Sequence, residues 1–296
     1  MANRLVWSFF NSVYKIGTPK PLDETSGTDT IISLLNSDKP CMISRIGSGE
    51  LQALSYVKFW PFLLPLKFRT YKLISNNAGF FPVTLDNLKI FFEIHIDAIS
   101  NLDILITWRF EEIFFRKNLK KTKRVTKDTL DEFFRQKKPW TQALEDKRVL
   151  VIHPFAKTIE EQYFQHREQL FANPLVLPKF KSLVTIKAVQ SIAGNNVEYE
   201  TWFDALDYMK REIDKHDFDI AILGCGAYGM PLAAYIKQSG KKAIHMGGIT
   251  QFLFGIKGKR YIDYEKTNNY INEYFVFPPE SDRPQKAEIV EGGCYW

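Results

Sequence analysis

Cys41-Met-Ile-Ser-Arg-Ile46-Gly-Ser-Gly-Glu50 holds the pattern that organises this chain. The apolar run 41–46 reads as a buried strand. Pro40 marks its start, Gly47-Ser48-Gly49 its exit from a sheet, and Glu50 opens a helix through about Tyr56. The same order of strand, glycine turn and helix recurs at Phe218-Asp-Ile-Ala-Ile-Leu223, Gly224-Cys-Gly-Ala-Tyr-Gly229 and a helix to about Gln238. Asp103–Thr107, Arg148–Ile152, Leu183–Lys187 and Lys242–His245 read as further strands. Residues 86–99, 127–146 (around a break at Pro139), Thr158–Phe171 and 200–216 read as helices. Phe59–Thr84 is aromatic, proline-rich and aperiodic, and is expected to be a lid or binding loop. The alternation predicts an α/β fold: a largely parallel sheet with helices on both faces.

Working outward, residues 1–36 read as an amphipathic helix and linker. Residues 37–277 read as the α/β domain, with a lobe boundary near 147, and 278–296 as a polar, proline-containing surface tail. In the N-terminal stretch, Arg4, Ser8, Asn11, Ser12 and Lys15 share one helical face, and Leu5, Val6, Phe9, Phe10 and Val13 lie largely on the other. Two readings stand: a helix docked on the core, or an in-plane membrane helix with Trp7 at the interface. No small-residue cleavage site marks it as a signal peptide, and no run approaches the ~20 apolar residues of a spanning helix.

With 296 residues and 45% hydrophobic content, the chain is globular, not disordered, and can bury a large core. Its net charge of +6 favours an anionic partner. Between Arg116 and Lys127 stand seven basic residues and no acidic one. That run reads first as a solvated loop and second as a contact with anionic lipid headgroups. A nucleic-acid partner is not expected, because no recognition motif accompanies the run. Cys41, Cys225 and Cys294 match no zinc spacing, and Cys41 and Cys225 sit among apolar strand residues. A reducing, cytoplasmic compartment is the simplest fit.

Four places could carry chemistry. At Arg45–Glu50, free backbone N–H groups of Gly47 and Ser48 at a helix N-terminus suit phosphate. Arg45 could grip a diphosphate, and Glu50 could bind a divalent metal or act as a base. The plain alternative is that Ser48 caps the helix and Glu50 favours its first turn. Gly224-Cys-Gly226-Ala-Tyr228-Gly229 fits G-x-G-x-x-G between strand and helix, but the acidic residue expected roughly 20 positions on is missing. The loop therefore reads as a sugar or nucleotide cradle, or as a turn needing glycine for close packing; a nicotinamide-dependent oxidoreductase is the rival enzyme class. His245-Met-Gly247-Gly248-Ile-Thr-Gln251, followed by Lys257, Lys259 and Arg260, could receive a leaving diphosphate. His153-Pro154-Phe155 ends a strand, and His153 could be a general base or phosphate ligand. Asn77, in Asn76-Asn-Ala-Gly-Phe-Phe-Pro82, could supply amide contacts to a sugar.

Arg45-Ile-Gly-Ser-Gly-Glu50 resembles the Arg-Phe-Gly-Asp-Gly-Glu signature of bacterial GT-D-type glycosyltransferases. Asn77–Pro82, His153–Phe155, Gly224–Gly229 and His245–Arg260 look like an ordered set found in related proteins of capsule and surface-polysaccharide clusters, and the match runs from about 40 to 264. The resemblance implies a Rossmann-like fold, a nucleotide-sugar donor (a UDP-sugar) and a divalent metal, Mn2+ or Mg2+. The expected acceptor is a glycan or lipid-linked glycan; a lipid-linked one would explain both the N-terminal helix and the basic run, and would put the chain at the inner face of the membrane. In the family an Asp-x-Glu pair is the metal-associated element. Here Ser48 stands where the aspartate is expected and Glu50 is kept, which weakens an oxygen-ligand site. The metal would then bind through Glu50 and the diphosphate alone, or not at all; in the second case Arg45, Lys257, Lys259 and Arg260 would have to stabilise the leaving group. A third reading is a non-catalytic assembly protein of a polysaccharide machine.

Overall fold

A computed structural model describes residues 19–296, so the N-terminal stretch around Trp7, with both readings of it, lies outside the described residues. In chain order the main elements are α1 (Glu24–Asn36), β1 (Cys41–Ser44), α2 (Ser48–Lys58), α3 (Lys67–Ala78), α4 (Leu85–Ser100), β2 (Ile104–Thr107) and β3 (Lys123–Thr126). The short α5 (Lys127–Asp131) follows, then β4 (Arg148–His153), α6 (Ala156–Leu170), β5 (Ser182–Lys187), α7 (Trp202–Asp214), β6 (Ile220–Leu223), α8 (Gly229–Gln238) and β7 (Lys242–His245). The seven strands form one sheet in the order β3-β2-β1-β7-β6-β4-β5, and every pairing is parallel. The chain is thus a Rossmann-like α/β protein, as the strand–helix alternation predicts.

Strand periodicity builds two cores from one sheet. Met42, Leu105, Leu150, Ile152, Ala221, Leu223 and Ala243 face a core shared with α2, α4, α7 and α8. Their neighbours Cys41, Ile43, Ile104, Ile106, Val149, Val151, Ile220, Ile222 and Ile244 face the other, shared with α1 and α6. Such strands are buried on both sides, which is why they read as unbroken apolar runs. β1 lies between β2 and β7, with Ile43 in register with Ile104 and Ile244. From β1 the chain steps outward to β2 and β3, then crosses and returns to β7 from the other side. In an open parallel sheet, this reversal leaves a crevice at the strand carboxyl ends.

Several sequence expectations are corrected. β3 lies inside the basic run, where Lys123 and Arg124 hide its strand character. Arg124 is buried against Glu112, while Arg116 and the neighbouring lysines face solvent. The segment 59–84 is not aperiodic throughout, because it contains α3. The linker before residue 37 contains α1, capped by Asp23, whose carboxylate accepts from Ser26 N–H at 2.9 Å. Residues 127–146 are mostly short 3-10 turns, with one α-turn at α5. The segment 278–296 is not a surface tail: Ala287, Val290 and Cys294 are buried. Backbone N–H groups of Lys259 and Arg260 donate to Trp296 and Cys294 carbonyls at 3.2 and 3.0 Å. Cys41, Cys225 and Cys294 are free and buried. Among the described residues no helix is long and apolar enough to cross a membrane.

Candidate active site

A cleft of about 510 Å³ opens along the carboxyl edge of the sheet. Each strand delivers residues to it: Arg45 and Gly47–Glu50 after β1, Trp108 and Arg109 after β2, and Lys127 and Asp131 after β3. His153–Phe155 follow β4, Gln190 and Ser191 follow β5, Gly224, Gly226 and Tyr228 follow β6, and Gly247, Gly248 and Gln251 follow β7. Asn77, Ser48, His245 and Arg260 also line it.

At the first turn Gly47, not Ser48, is the N-cap of α2, and no side chain caps it. Glu50 in the first helical turn folds its carboxyl back over Gly47; a Cβ there would collide with both carboxyl oxygens and the carbon between them. Burial pushes the Glu50 carboxyl above the ordinary carboxylate range, partly opposed by its own backbone N–H and by Arg45. Arg45 reaches Asp131 with Nη1 to Oδ2 at 3.5 Å, and Asp131 also pairs with Lys127. The Arg45 guanidinium lies 5.4 Å from the Trp108 ring centre, and that of Arg109 lies 5.5 Å from it.

The loop that brings Trp108 and Arg109 is anchored by a buried carboxylate. Glu112 accepts from the backbone N–H groups of Trp108 and Arg109 at 3.0 and 3.1 Å, from the Thr107 hydroxyl, and from Arg124 at 3.3 Å. Trp108 Nε1 donates to the Ile46 carbonyl at 3.0 Å, tying this loop to the first turn.

The second glycine turn is built differently. A Cβ on Gly224 would lie 2.6 Å from the His153 ring and 2.7 Å from Thr250 Oγ1, and one on Gly229 would collide with His245. These glycines admit the protein's own histidines, so the close-packing reading of the motif holds at both positions. Gly226 takes a positive φ of 58° against the Ala78 carbonyl. Tyr228 stacks on Trp202 with ring centres 5.0 Å apart, and its hydroxyl meets Ser191 Oγ at 3.0 Å.

Both histidines are held neutral. Burial lowers His153 to about 3. Its Nδ1 accepts from Phe155 N–H at 3.0 Å, which leaves Nε2 carrying the proton. His153 is therefore a hydrogen-bond donor toward the cleft, not the general base that its strand-end position allows. Burial, with Arg45 nearby, lowers His245 to about 3 as well. His245 Nδ1 meets Ser44 Oγ at 3.0 Å, and Ser44 in turn donates to the Arg45 carbonyl at 3.0 Å. This chain ties the end of β7 to the end of β1, just where Arg45 leaves the sheet.

The predicted cationic trio divides. Lys257 lies over the Phe277 ring at 5.1 Å and Lys259 is exposed; neither lines the cleft. Arg260 does line it, paired with Glu291 and donating to the Tyr295 hydroxyl at 3.3 Å. Gln251 Nε2 donates to the Tyr295 carbonyl at 3.2 Å, and the Trp296 ring meets Phe155 at 6.1 Å. So 291–296 forms a wall of the cleft. Trp108, Arg109, Lys127, Asp131, Gln190, Tyr295 and Trp296 are among the cleft residues that motif reading misses. The rule that ligands collect at strand carboxyl ends would have found Trp108 and Arg109, which directly follow the predicted strand Asp103–Thr107.

Among the described residues, eight buried side-chain polar atoms lack a hydrogen-bond partner, and four of them belong to residues lining this cleft. They are Asp131 Oδ1, Gln190 Nε2, Gln251 Oε1 and Trp296 Nε1. Buried polar groups are normally paired, and these four unpaired atoms, themselves closed to solvent, belong to residues of the cleft wall.

The residues do not fit a protein-held divalent cation. Among the described residues no group of three His, Cys, Asp or Glu is placed to hold one. Glu50 is turned onto its own backbone beside Arg45, and Asp131 gives its Oδ2 to both Arg45 and Lys127.

No protein-family model matches this chain, and no curated protein matches it. Among solved structures, a glycosyltransferase of the DUF1792 group from Streptococcus sanguinis is similar to it. The identity is 14%, the alignment covers 90% of this chain and 96% of that one, and the TM-score is 0.41.

Proposed function

We propose that this chain is a glycosyltransferase that moves a sugar from a nucleotide-diphosphate donor, a UDP-sugar, to a hydroxyl of a glycan acceptor in bacterial surface-polysaccharide synthesis. The observation that carries the reading is the pairing of two features in one cleft. Arg45, Lys127 and Arg260 bring cations to it, and Asp131, Gln190, Gln251 and Trp296 bring unpaired polar atoms. The cations suit a diphosphate, and the unpaired acceptors and donors suit a polyhydroxyl ring. The motif order in the sequence names the same reaction.

In this reading Arg45, held by Asp131 and stacked near Trp108, binds the donor diphosphate together with Lys127. Glu50, whose carboxyl burial raises above its ordinary value, takes the proton of the attacking hydroxyl. A bond forms from the acceptor oxygen to the sugar's anomeric carbon as the bond to the diphosphate oxygen breaks. The charge that develops on the diphosphate is met by Arg45, Lys127 and Arg260. No step is assigned to a metal, because among the described residues no three ligating side chains converge. A lipid-linked acceptor at the inner membrane face fits the same chemistry.

The test is donor hydrolysis and transfer by Glu50→Gln and Arg45→Ala. Loss of a positioned electrostatic or proton-transfer group predicts a fall in kcat of about 10²-fold or more in each. Full activity in both variants sinks the assignment.

A further inference from the structure

The helical hairpin made by α2 and α3 has its two ends in different places. Its base is in the cleft, where Gly47–Glu50 begin α2 and Asn77 and Ala78 end α3. Its tip, residues 59–68, carries the largest concentration of exposed apolar side chains among the described residues. Phe62 is 86% exposed, Phe68 81%, Leu64 49% and Leu66 41%. Scattered exposed hydrophobics are ordinary in soluble proteins, but four within seven residues, two of them phenylalanines, are a patch with a purpose.

The charge around the tip has one sign. From Leu51 to Leu85 the sequence contains no Asp or Glu, while Lys58, Lys67, Arg69 and Lys72 are all exposed. A second basic group lies alongside. Phe59 packs edge-on against Phe114 at 4.9 Å, and Lys58 lies over the Phe115 ring at 5.4 Å. The chain leaves Phe115 directly into exposed Arg116, Lys117, Lys120 and Lys121. Apolar side chains at a tip, flanked by these cations, with Asp86 the acidic residue next along the chain and paired to Lys89, match the two layers of an anionic membrane: acyl chains below, headgroup phosphates above.

We infer that residues 59–68 dock this protein on an anionic lipid bilayer. Phe62, Leu64, Leu66 and Phe68 enter the interface, and Lys58, Lys67, Arg69 and the 116–121 run contact headgroups. The eleven-residue α2 spans about 16 Å, which sets the distance from bilayer surface to cleft. The inference rests on this surface alone and holds whatever the cleft transfers.

The test is co-sedimentation of the full chain with vesicles of phosphatidylglycerol and phosphatidylcholine, compared with phosphatidylcholine alone. The full chain is expected to partition onto the anionic vesicles, less so at high salt. The double variant Phe62→Ser/Phe68→Ser should lower that partitioning by about tenfold or more. Lys67→Gln/Arg69→Gln should weaken it at low salt only. Phe164→Ser, removing a 68% exposed phenylalanine on α6, should leave it unchanged. The four tip and cation positions are exposed, so melting temperatures should stay at the wild-type value. Absence of binding to anionic vesicles overturns the inference, as does undiminished binding by the Phe62/Phe68 variant. A change of oligomeric state in that variant without vesicle binding by the parent assigns the patch to a second copy and overturns it too.

Discussion

The turns after β1 and β6 look alike in sequence and do different work. Each leaves a buried strand through glycines and enters a helix at the same edge of the sheet. At the first, the space beside Gly47 is taken by the carboxyl of Glu50, and Arg45 and Glu50 both line the cleft. At the second, the space beside Gly224 and Gly229 is taken by His153, Thr250 and His245. A glycine motif announces close approach, not what approaches. On the proposed reading the first turn holds a reactive group in place, and the second closes the sheet edge behind it.

The largest expected effect belongs to the second turn. His153 and His245 are held near 3 in the folded protein, below the ordinary histidine value of 6.5. The unfolded chain takes up these protons first as pH falls, so their contribution to stability is intact above about 6.5 and is lost on the way down toward 3. Each such histidine gives a slope of up to about 1.4 kcal/mol per pH unit in that window, and His95, which burial lowers to about 4, adds its own share down to that value. Denaturant titrations at stepped pH should show it, and His245→Asn should remove about a third. A flat profile between pH 6.5 and 4.5 would contradict neutral burial of both.

The next effect separates the turns directly. Gly229→Ala forces a methyl group into His245 and should cost roughly 1–3 kcal/mol of stability, read as a lowered melting temperature. Gly47→Ala should act mainly on turnover, because the displaced atoms are the Glu50 carboxyl. A fall of about tenfold or more in kcat is expected, with a smaller stability change than in Gly229→Ala. Equal stability losses and equal activity losses in the two variants would erase the distinction drawn here.

The smallest effect has an unusual sign. Because the folded state raises the Glu50 pKa, its proton is held more tightly in the folded chain, and that stabilising share disappears as pH rises through the folded value. Glu50→Gln should therefore melt slightly higher than wild type at neutral pH, with the difference closing as pH falls below the ordinary carboxylate range. A lower melting temperature at neutral pH would mean that the ionised carboxylate is a structural group.

How much of this was legible in the sequence follows from where the information lies. The strands at β1, β4, β6 and β7 announce themselves because burial on both faces demands continuous apolar runs. β3 does not, since Lys123 and Arg124 interrupt the run and Arg124 is made tolerable only by Glu112, a partner twelve residues upstream. α3 is hidden by the aromatic, proline-containing stretch before it. Arg45 and Glu50 were legible because the chemistry sits within six consecutive residues. Asp131 and Tyr295 were not, because only strand order β3-β2-β1-β7 and the return of the C-terminal segment bring them there, whereas Trp108 lay within reach of the strand-end rule. Lys257 and Lys259 show the converse: adjacency to Arg260 in sequence did not place them in the cleft.

The central claim is that the first turn, through Arg45, holds the diphosphate of a donor without a protein-held metal. The most direct measurement is calorimetric titration of UDP into the full chain in the presence of EDTA, for wild type, Arg45→Ala and Gly229→Ala. Binding is expected in wild type, weakened about tenfold or more in Arg45→Ala by loss of a charge-assisted contact, and largely kept in folded Gly229→Ala. Binding that appears only with manganese, or that Arg45→Ala leaves intact, would contradict the claim.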